Sequence, residues 1–214
     1  MFFKISWVHK ILKILKWIFL VLLGLLIILV IWRLFDRANT AKTEEQVIKI
    51  HNTKLTLDDV MGKNLPPDPG ALADATVQGI DANNNGIRDD VELAVFKEYP
   101  NSAKTRAVLL QYALAFQMEV TQPIVNTKTV TEIVTEEGRA DTCVADILVP
   151  RESPESFRSD TDMERIDVYV KFIENKQFNN DIRKKTRDDF LKNMRSFGDS
   201  TNEICDIDIS KLPN

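Results

Sequence analysis

Sixteen consecutive residues without a charge, Trp17 to Trp32, constrain this chain more than any other feature. They read Trp-Ile-Phe-Leu-Val-Leu-Leu-Gly-Leu-Leu-Ile-Ile-Leu-Val-Ile-Trp. A helix of that length covers about 24 Å, a little short of a bilayer's hydrocarbon core. Lys16 and Arg33 can snorkel, and Leu12, Ile14, Leu15, Leu34 and Phe35 extend the apolar stretch. A cleaved signal peptide is the rival reading, but its apolar region is shorter and ends in small residues. Here the run ends in Trp-Arg-Leu-Phe-Asp-Arg, so an uncleaved signal anchor over 17–35 is expected. All three Trp, Trp7, Trp17 and Trp32, lie in this region, and the last two bracket the run as interfacial Trp do.

The anchor splits the charge. Residues 1–37 carry Lys4, Lys10, Lys13, Lys16, Arg33 and Arg37 against Asp36, a balance of +5; the whole chain carries -4, which leaves -9 for the remainder. Basic residues concentrate before the span, so residues 1–16 are expected on the cytoplasmic side. The acidic domain is then expected outside, in a periplasmic or other extracytoplasmic space, anchored in the cell (inner) membrane. Residues 2–16 also have the pattern of a basic amphipathic helix, but an anchor's basic leader is the favoured reading. The net acidity argues against a nucleic-acid partner. The expected partners are the lipid bilayer, through residues 17–35, and an envelope protein.

Beyond the anchor the expected class is mainly α, a small helical bundle-like domain with one calcium loop. Residues 36–70 read as stalk and linker. Thr43-Glu-Glu-Gln46 has capping-box spacing, and Leu65-Pro-Pro-Asp-Pro-Gly70 cannot continue a helix. The folded domain is then 71–214, with at most a short helix at Ala71–Gln78. Val91, Val95, Phe96 and Tyr99 make one helical face, stopped by Pro100. Ser102 to Val120 is apolar on most sides, the mark of a buried central helix. Residues 124–148 suit one helix or two broken at Gly138, and their β-branched run leaves a strand near 128–134 open. Thr161-Asp-Met-Glu164 is a second capping-box pattern, ahead of Met163, Ile166, Val170 and Ile173. A last helix is expected over Asp181–Phe197, with Gly198 as its left-handed cap.

One segment carries specific chemistry. Residues 81–92 read Asp-Ala-Asn-Asn-Asn-Gly-Ile-Arg-Asp-Asp-Val-Glu. Asp81, Asn83 and Asn85 fall at positions 1, 3 and 5, Gly86 at 6, Ile87 at 7, Asp89 at 9 and Glu92 at 12. This is the pattern D-x-[DN]-x-[DN]-G-x₅-E. Ca²⁺ takes about six to eight hard oxygens, and this spacing can deliver them. Alternate side chains converge as the chain curls, Gly86 permits the turn, and Ile87 offers its carbonyl. Asp89 acts directly or through water, and Glu92 supplies two oxygens. A plain polar turn before a helix would need neither the alternation nor Glu92. The loop resembles those of EF-hands, dockerin modules and, most closely, thrombospondin type 3 repeats. The resemblance implies Ca²⁺ bound by Asp81, Asn83, Asn85, Ile87, Asp89 and Glu92. It departs from a paired EF-hand at Arg88, where an apolar residue would bridge to a second loop. The chain is also similar to membrane-anchored bacterial proteins that share an N-G-[IV]-R-D-D-V-E loop and a late Cys, a likeness that implies no activity.

Cys143 and Cys205 both fall on the expected outer side, where an oxidising compartment favours their pairing. Catalytic motifs are missing: no G-x-S-x-G, no phosphate-binding glycine loop, no dinucleotide fingerprint. The two His are His9, before the span, and His51, read as a surface residue. Glu136-Glu137, Asp188-Asp189 and Arg183-Lys184-Lys185 read as solvated helix faces. An anchored binding module with a structural calcium ion is therefore expected, rather than an enzyme. A calcium-dependent envelope enzyme using carboxylates, or a calcium-sensing interaction protein, are the alternatives.

Overall fold

The computed structural model describes residues 2–153, 155–195, 200 and 203–213, with side chains described from Leu12 onward. Among these residues are seven α-helices, two 3-10 turns and no strand, the mainly α class expected from periodicity. The chain forms two compact units, Met1–Glu45 and Gln46–Asn214.

The first unit lies within α1 (Phe2–Asn52). From Leu12 on, the helix holds an 18-residue window of mean hydropathy 3.1, none of it buried. Trp17, Phe19, Ile28, Trp32 and Phe35 each expose more than half their surface. By length and composition this segment can cross a membrane, as a signal sequence also could. The capping-box pattern at Thr43 starts nothing, because the helix runs straight through it. The Thr43 hydroxyl instead donates to the Asn39 carbonyl 2.9 Å away, a bond made within a continuing helix.

The second unit starts earlier than the sequence suggests. Residues 46–60, read as stalk, place Ile50, Leu55 and Val60 in the core. Ile50 and Val60 are completely buried. Their apolar neighbours Ile48, Leu57 and Met61 stay exposed, so apolar content alone does not mark them. A single turn, α2 (Leu57–Val60), is capped by Thr56, whose side chain accepts from Asp59 N while Asp59 accepts from Thr56 N. The proline-rich 65–69 is irregular, and a 3-10 turn, Gly70–Asp74, follows it.

Around a central helix the rest assembles. α3 (Asp89–Glu98) stops at Tyr99-Pro100. α4 (Ala103–Thr121) is buried from Arg106 through Val120, and the Ser102 side chain caps it by accepting from Thr105 N. α5 (Thr127–Leu148) is one helix; it is not broken at Gly138 and holds no strand at 128–134. Asn126 caps it by accepting from Lys128 N and Thr129 N, which outweighs the β-branched run. α6 (Asp160–Gln177) starts two residues before the expected box, with Ser159 and Asp162 as the reciprocal pair. Ile166 and Ile173 face inward and Met163 is exposed. α7 (Asp181–Leu191) buries Phe190; the expected Phe197 and Gly198 lie outside the described residues. Helices α3, α5, α6 and α7 all pack on α4.

A disulfide joins Cys143, in α5, to Cys205 in the tail, their Cα atoms 5.3 Å apart across 62 residues. On the chain-entropy argument closing such a loop stabilises the fold by about 4 kcal/mol. Polar bonds seat the same tail. Arg139 donates to Asp206 at 2.6 Å and to the Glu203 carbonyl at 2.8 Å, and Gln111 exchanges bonds with Ile204 and Asp206.

Candidate metal centre

Residues 81–88 form an irregular turn, and α3 follows from Asp89. Asp81 sits at the centre of the turn, accepting from Asn85 N at 3.1 Å and Gly86 N at 2.9 Å. Asn83 accepts from Asn85 N at 3.4 Å, and Asn85 from Ile87 N at 2.9 Å. Gly86 takes φ 86° and packs so closely on α4 that an added Cβ would stand 2.7 Å from Leu114. A side chain there would meet both backbone strain and a clash. The chain then enters α3, which begins on Asp89.

The two acidic residues that close the loop are buried to the last fraction. Asp89 and Glu92 expose none of their surface. Asp89 Oδ1 accepts from Ala82 N at 2.9 Å. Glu92 Oε2 accepts from the side-chain amides of Asn83 at 3.0 Å and Asn85 at 3.1 Å. Their other oxygens, Asp89 Oδ2 and Glu92 Oε1, are buried without a hydrogen-bond partner. Burial pushes the Glu92 carboxyl up to about 7, against the pull of the two Asn amides, with Asp59 and Asp89 adding repulsion. Asp89 is likewise raised, first by burial, and Asp81 and Asp90 add to it.

This donor set suits a hard cation. It offers carboxylate oxygens from Asp81, Asp89 and Glu92, amide oxygens from Asn83 and Asn85, and the backbone of Ile87. Two orphaned buried oxygens each cost about 1–3 kcal/mol, a cost a cation would remove. Among the described residues no group of three or more His, Cys, Asp or Glu side chains converges as a metal cluster. Asp81, Asp89 and Glu92 are thus candidate donors that are not gathered around one point here.

Arg88, at position 8, explains how a lone loop is held. Its side chain is fully buried and runs away from the carboxylates. Nη1 donates to the Gln177 carbonyl at 3.0 Å and Nη2 to the Lys176 carbonyl at 2.6 Å, at the end of α6. The same guanidinium makes a two-pronged pair with Asp90. A helix C-terminus thus takes the place of a second loop, and cations are favoured there. The segment entering the loop is pinned the same way. Arg183, read as part of a wetted face, is fully buried and donates to the carbonyls of Ala73, Thr76 and Val77 and to Asp74. Lys184 and Lys185 do remain exposed.

A second acidic centre lies among α4, α5, α6 and α7. The Glu119 side chain is completely buried and has no geometric hydrogen-bond donor at either oxygen. Burial, then the nearby Glu137, push its carboxyl up to about 9, where it keeps a proton to share with Glu137. Arg187 supplies the countercharge, 3.4 Å from Glu119, 3.9 Å from Glu137 and paired with Glu174. Its guanidinium also stacks on Phe116 and Phe178, at 4.7 and 4.5 Å from the ring centres.

The expectation that Glu136 and Glu137 are solvated is therefore wrong. Glu136 is buried between Arg139, at 2.8 Å, and His51, at 2.7 Å. His51 is half-buried, with its other ring nitrogen 3.1 Å from Glu132. The signal was present in spacing. Glu137 sits at i+4 from Ile133 and i−3 from Ala140, on the apolar stripe of α5, and Glu119 interrupts a helix apolar all round. Asp188 and Asp189 are exposed as expected.

Compared with family models, curated proteins and solved structures, the chain shows no significant match. The likeness to calcium loops rests on residues 81–92 alone.

Proposed function

We propose that the chain is a single-pass membrane-anchored, extracytoplasmic calcium-binding protein whose ion is mainly structural and whose domain is a binding module. The observation that carries this reading is the pair of buried, unpartnered oxygens, Asp89 Oδ2 and Glu92 Oε1, in a loop with calcium-loop spacing. Bound there, Ca²⁺ would supply charge neutralisation and oxygen ligation to Asp81, Asn83, Asn85, Ile87, Asp89 and Glu92. Three carboxylates and a lone loop suit a weak site of the extracellular kind, with a dissociation constant of about 10⁻⁴–10⁻³ M. The disulfide agrees with an oxidising compartment. The basic residues before the apolar segment support a cytoplasmic N-terminus, an inner-membrane anchor and a periplasmic domain.

Calorimetric titration of calcium into the full-length chain in detergent micelles tests the reading. Saturable heat that vanishes with Glu92→Gln is expected. No heat at millimolar calcium overturns it.

A second reading, carboxylate catalysis, has Glu119 and Glu137 behind it. Two facing carboxyls, one held protonated, have the pattern of an acid and base pair. Glu119 itself is sealed, so a substrate would have to reach it through Glu137 and Glu174, which are 21% and 40% exposed. Carboxylate-ester and glycoside substrates turned over by the wild type but not by Glu137→Gln would favour it.

A further inference from the structure

Beside the loop lies a cavity of about 240 Å³ that neither the disulfide, the anchor nor the acidic centres use. One wall is the loop, through Asp81 and Gly86; the opposite walls are the end of α1 and the second half of α4. Leu114 and Met118 contribute apolar surface. Its polar surface offers donors at the exposed Lys49 and Gln78 side chains and at Gln122, beside acceptors at Asp81, the Gln78 amide oxygen and the hydroxyl oxygens of Thr53 and Thr121. Gln122 spends its carbonyl oxygen on Gln46, at 2.7 Å, which leaves its NH₂. The Gln78 side chain and the Lys49 ammonium have no hydrogen bond or ion pair among the described residues. Thr53 and Thr121 have already turned their hydroxyl protons to the carbonyls of Lys49 and Gln117. The one carboxylate on the lining, Asp81, is occupied by the amides of Asn85 and Gly86.

An ammonium and two amide donors around a partly apolar pocket match a small organic anion. The pocket's size fits a molecule no larger than an amino acid, with the carboxylate on Lys49 and the body against Leu114 and Met118. The acidic loop opposes it. Asp81, Asp89 and Glu92 place negative charge in that wall, and a divalent cation among them would cancel most of it. We propose that this cavity binds a small organic carboxylate, and that it does so strongly only when the neighbouring loop holds its cation. The second half of this statement rests on the calcium reading above; the first does not.

The test uses the full-length chain in detergent micelles, labelled with ¹⁵N in its glutamine side chains. N-acetylglycine is the probe and N-acetylglycinamide, its neutral counterpart, the control. Each is titrated in excess calcium and in EGTA. Calcium alone should move loop-adjacent signals, which checks the calcium reading separately. N-acetylglycine should then shift the Gln78 and Gln122 amides at saturable concentrations, roughly tenfold more weakly in EGTA. Lys49→Met should weaken it roughly tenfold or more without changing calcium binding. Equal shifts with and without calcium, in a chain that binds calcium, overturn the coupling. Calcium that moves nothing, beside an intact N-acetylglycine response, overturns the calcium reading and the coupling and leaves the anion site supported. Three outcomes overturn the site itself: no shift at Gln78 and Gln122, equal binding of the neutral amide, or unchanged binding by Lys49→Met.

Discussion

Glu92, in the first turn of α3, and Glu119, near the end of α4, both have completely buried side chains. Around Glu119 the chain provides its own compensation. Arg187 stands 3.4 Å away, two aromatic rings hold that guanidinium in place, and Glu137 takes a share of the proton. Around Glu92 the strongest electrostatic neighbours are acidic, Asp59 and Asp89, and the adjacent Arg88 is spent on Asp90 and the end of α6. One acidic centre is closed with an internal cation. Both leave buried oxygens without a hydrogen-bond donor, but the loop has no internal cation facing them. That difference, inside one small core, is the best physical reason to look for an ion at the loop and not at the cluster.

The comparison can be broken experimentally, starting where the effect is largest. Arg187→Met leaves buried carboxyls without their countercharge, so unfolding free energy should fall by about 3–5 kcal/mol, equally in calcium and in EGTA. A calcium-dependent loss in denaturant titrations would mean the two centres are not separate. Reduction of Cys143–Cys205 should cost about 4 kcal/mol, again regardless of calcium. Calcium at about a hundred times its dissociation constant should stabilise the wild type by about 2.7 kcal/mol. In Glu92→Gln that gain should disappear, while stability in EGTA changes by about 1 kcal/mol or less, because glutamine can still accept from Asn83 and Asn85. A Glu92→Gln chain that retains the calcium gain would remove the contrast.

The smallest effect is a slope against pH. The folded-state value of Glu92, about 7, lies above its ordinary 4.5. A raised carboxyl favours the folded state at low pH, and that contribution is lost as pH climbs from about 4.5 through 7. In EGTA the melting temperature should therefore decline more steeply over that window in the wild type than in Glu92→Gln. Glu119 adds a decline of its own that continues toward 9 and is common to both chains. Identical slopes in the two chains would show that Glu92 is not titrating as its burial requires.

Much of this was legible in the residues. The apolar run, the stop at Pro100, the buried face of α4 and the pairing of the two Cys follow from periodicity, location and count. Long-range polar roles were not legible. Ile50 and Val60 reach the core while their apolar neighbours Ile48, Leu57 and Met61 stay exposed, so apolar content alone does not single them out. Arg88 and Arg183 look like surface residues until their carbonyl partners, about 90 to 110 positions away in sequence, are brought to them. Charged residues on a buried stripe were read by composition when their position on the helix should have decided. Ser159 rather than Thr161 caps α6, with Asp162 as its reciprocal partner, since two capping patterns two residues apart satisfy nearly the same local rule.

Arg88 also bears on the shape of a response. Two loops facing each other share binding energy, and the second ion arrives more easily than the first. A loop braced by the tail of a helix has no twin to recruit. An ion held there would fill its site along a simple single-site curve as calcium rises, without the steepness of a coupled pair.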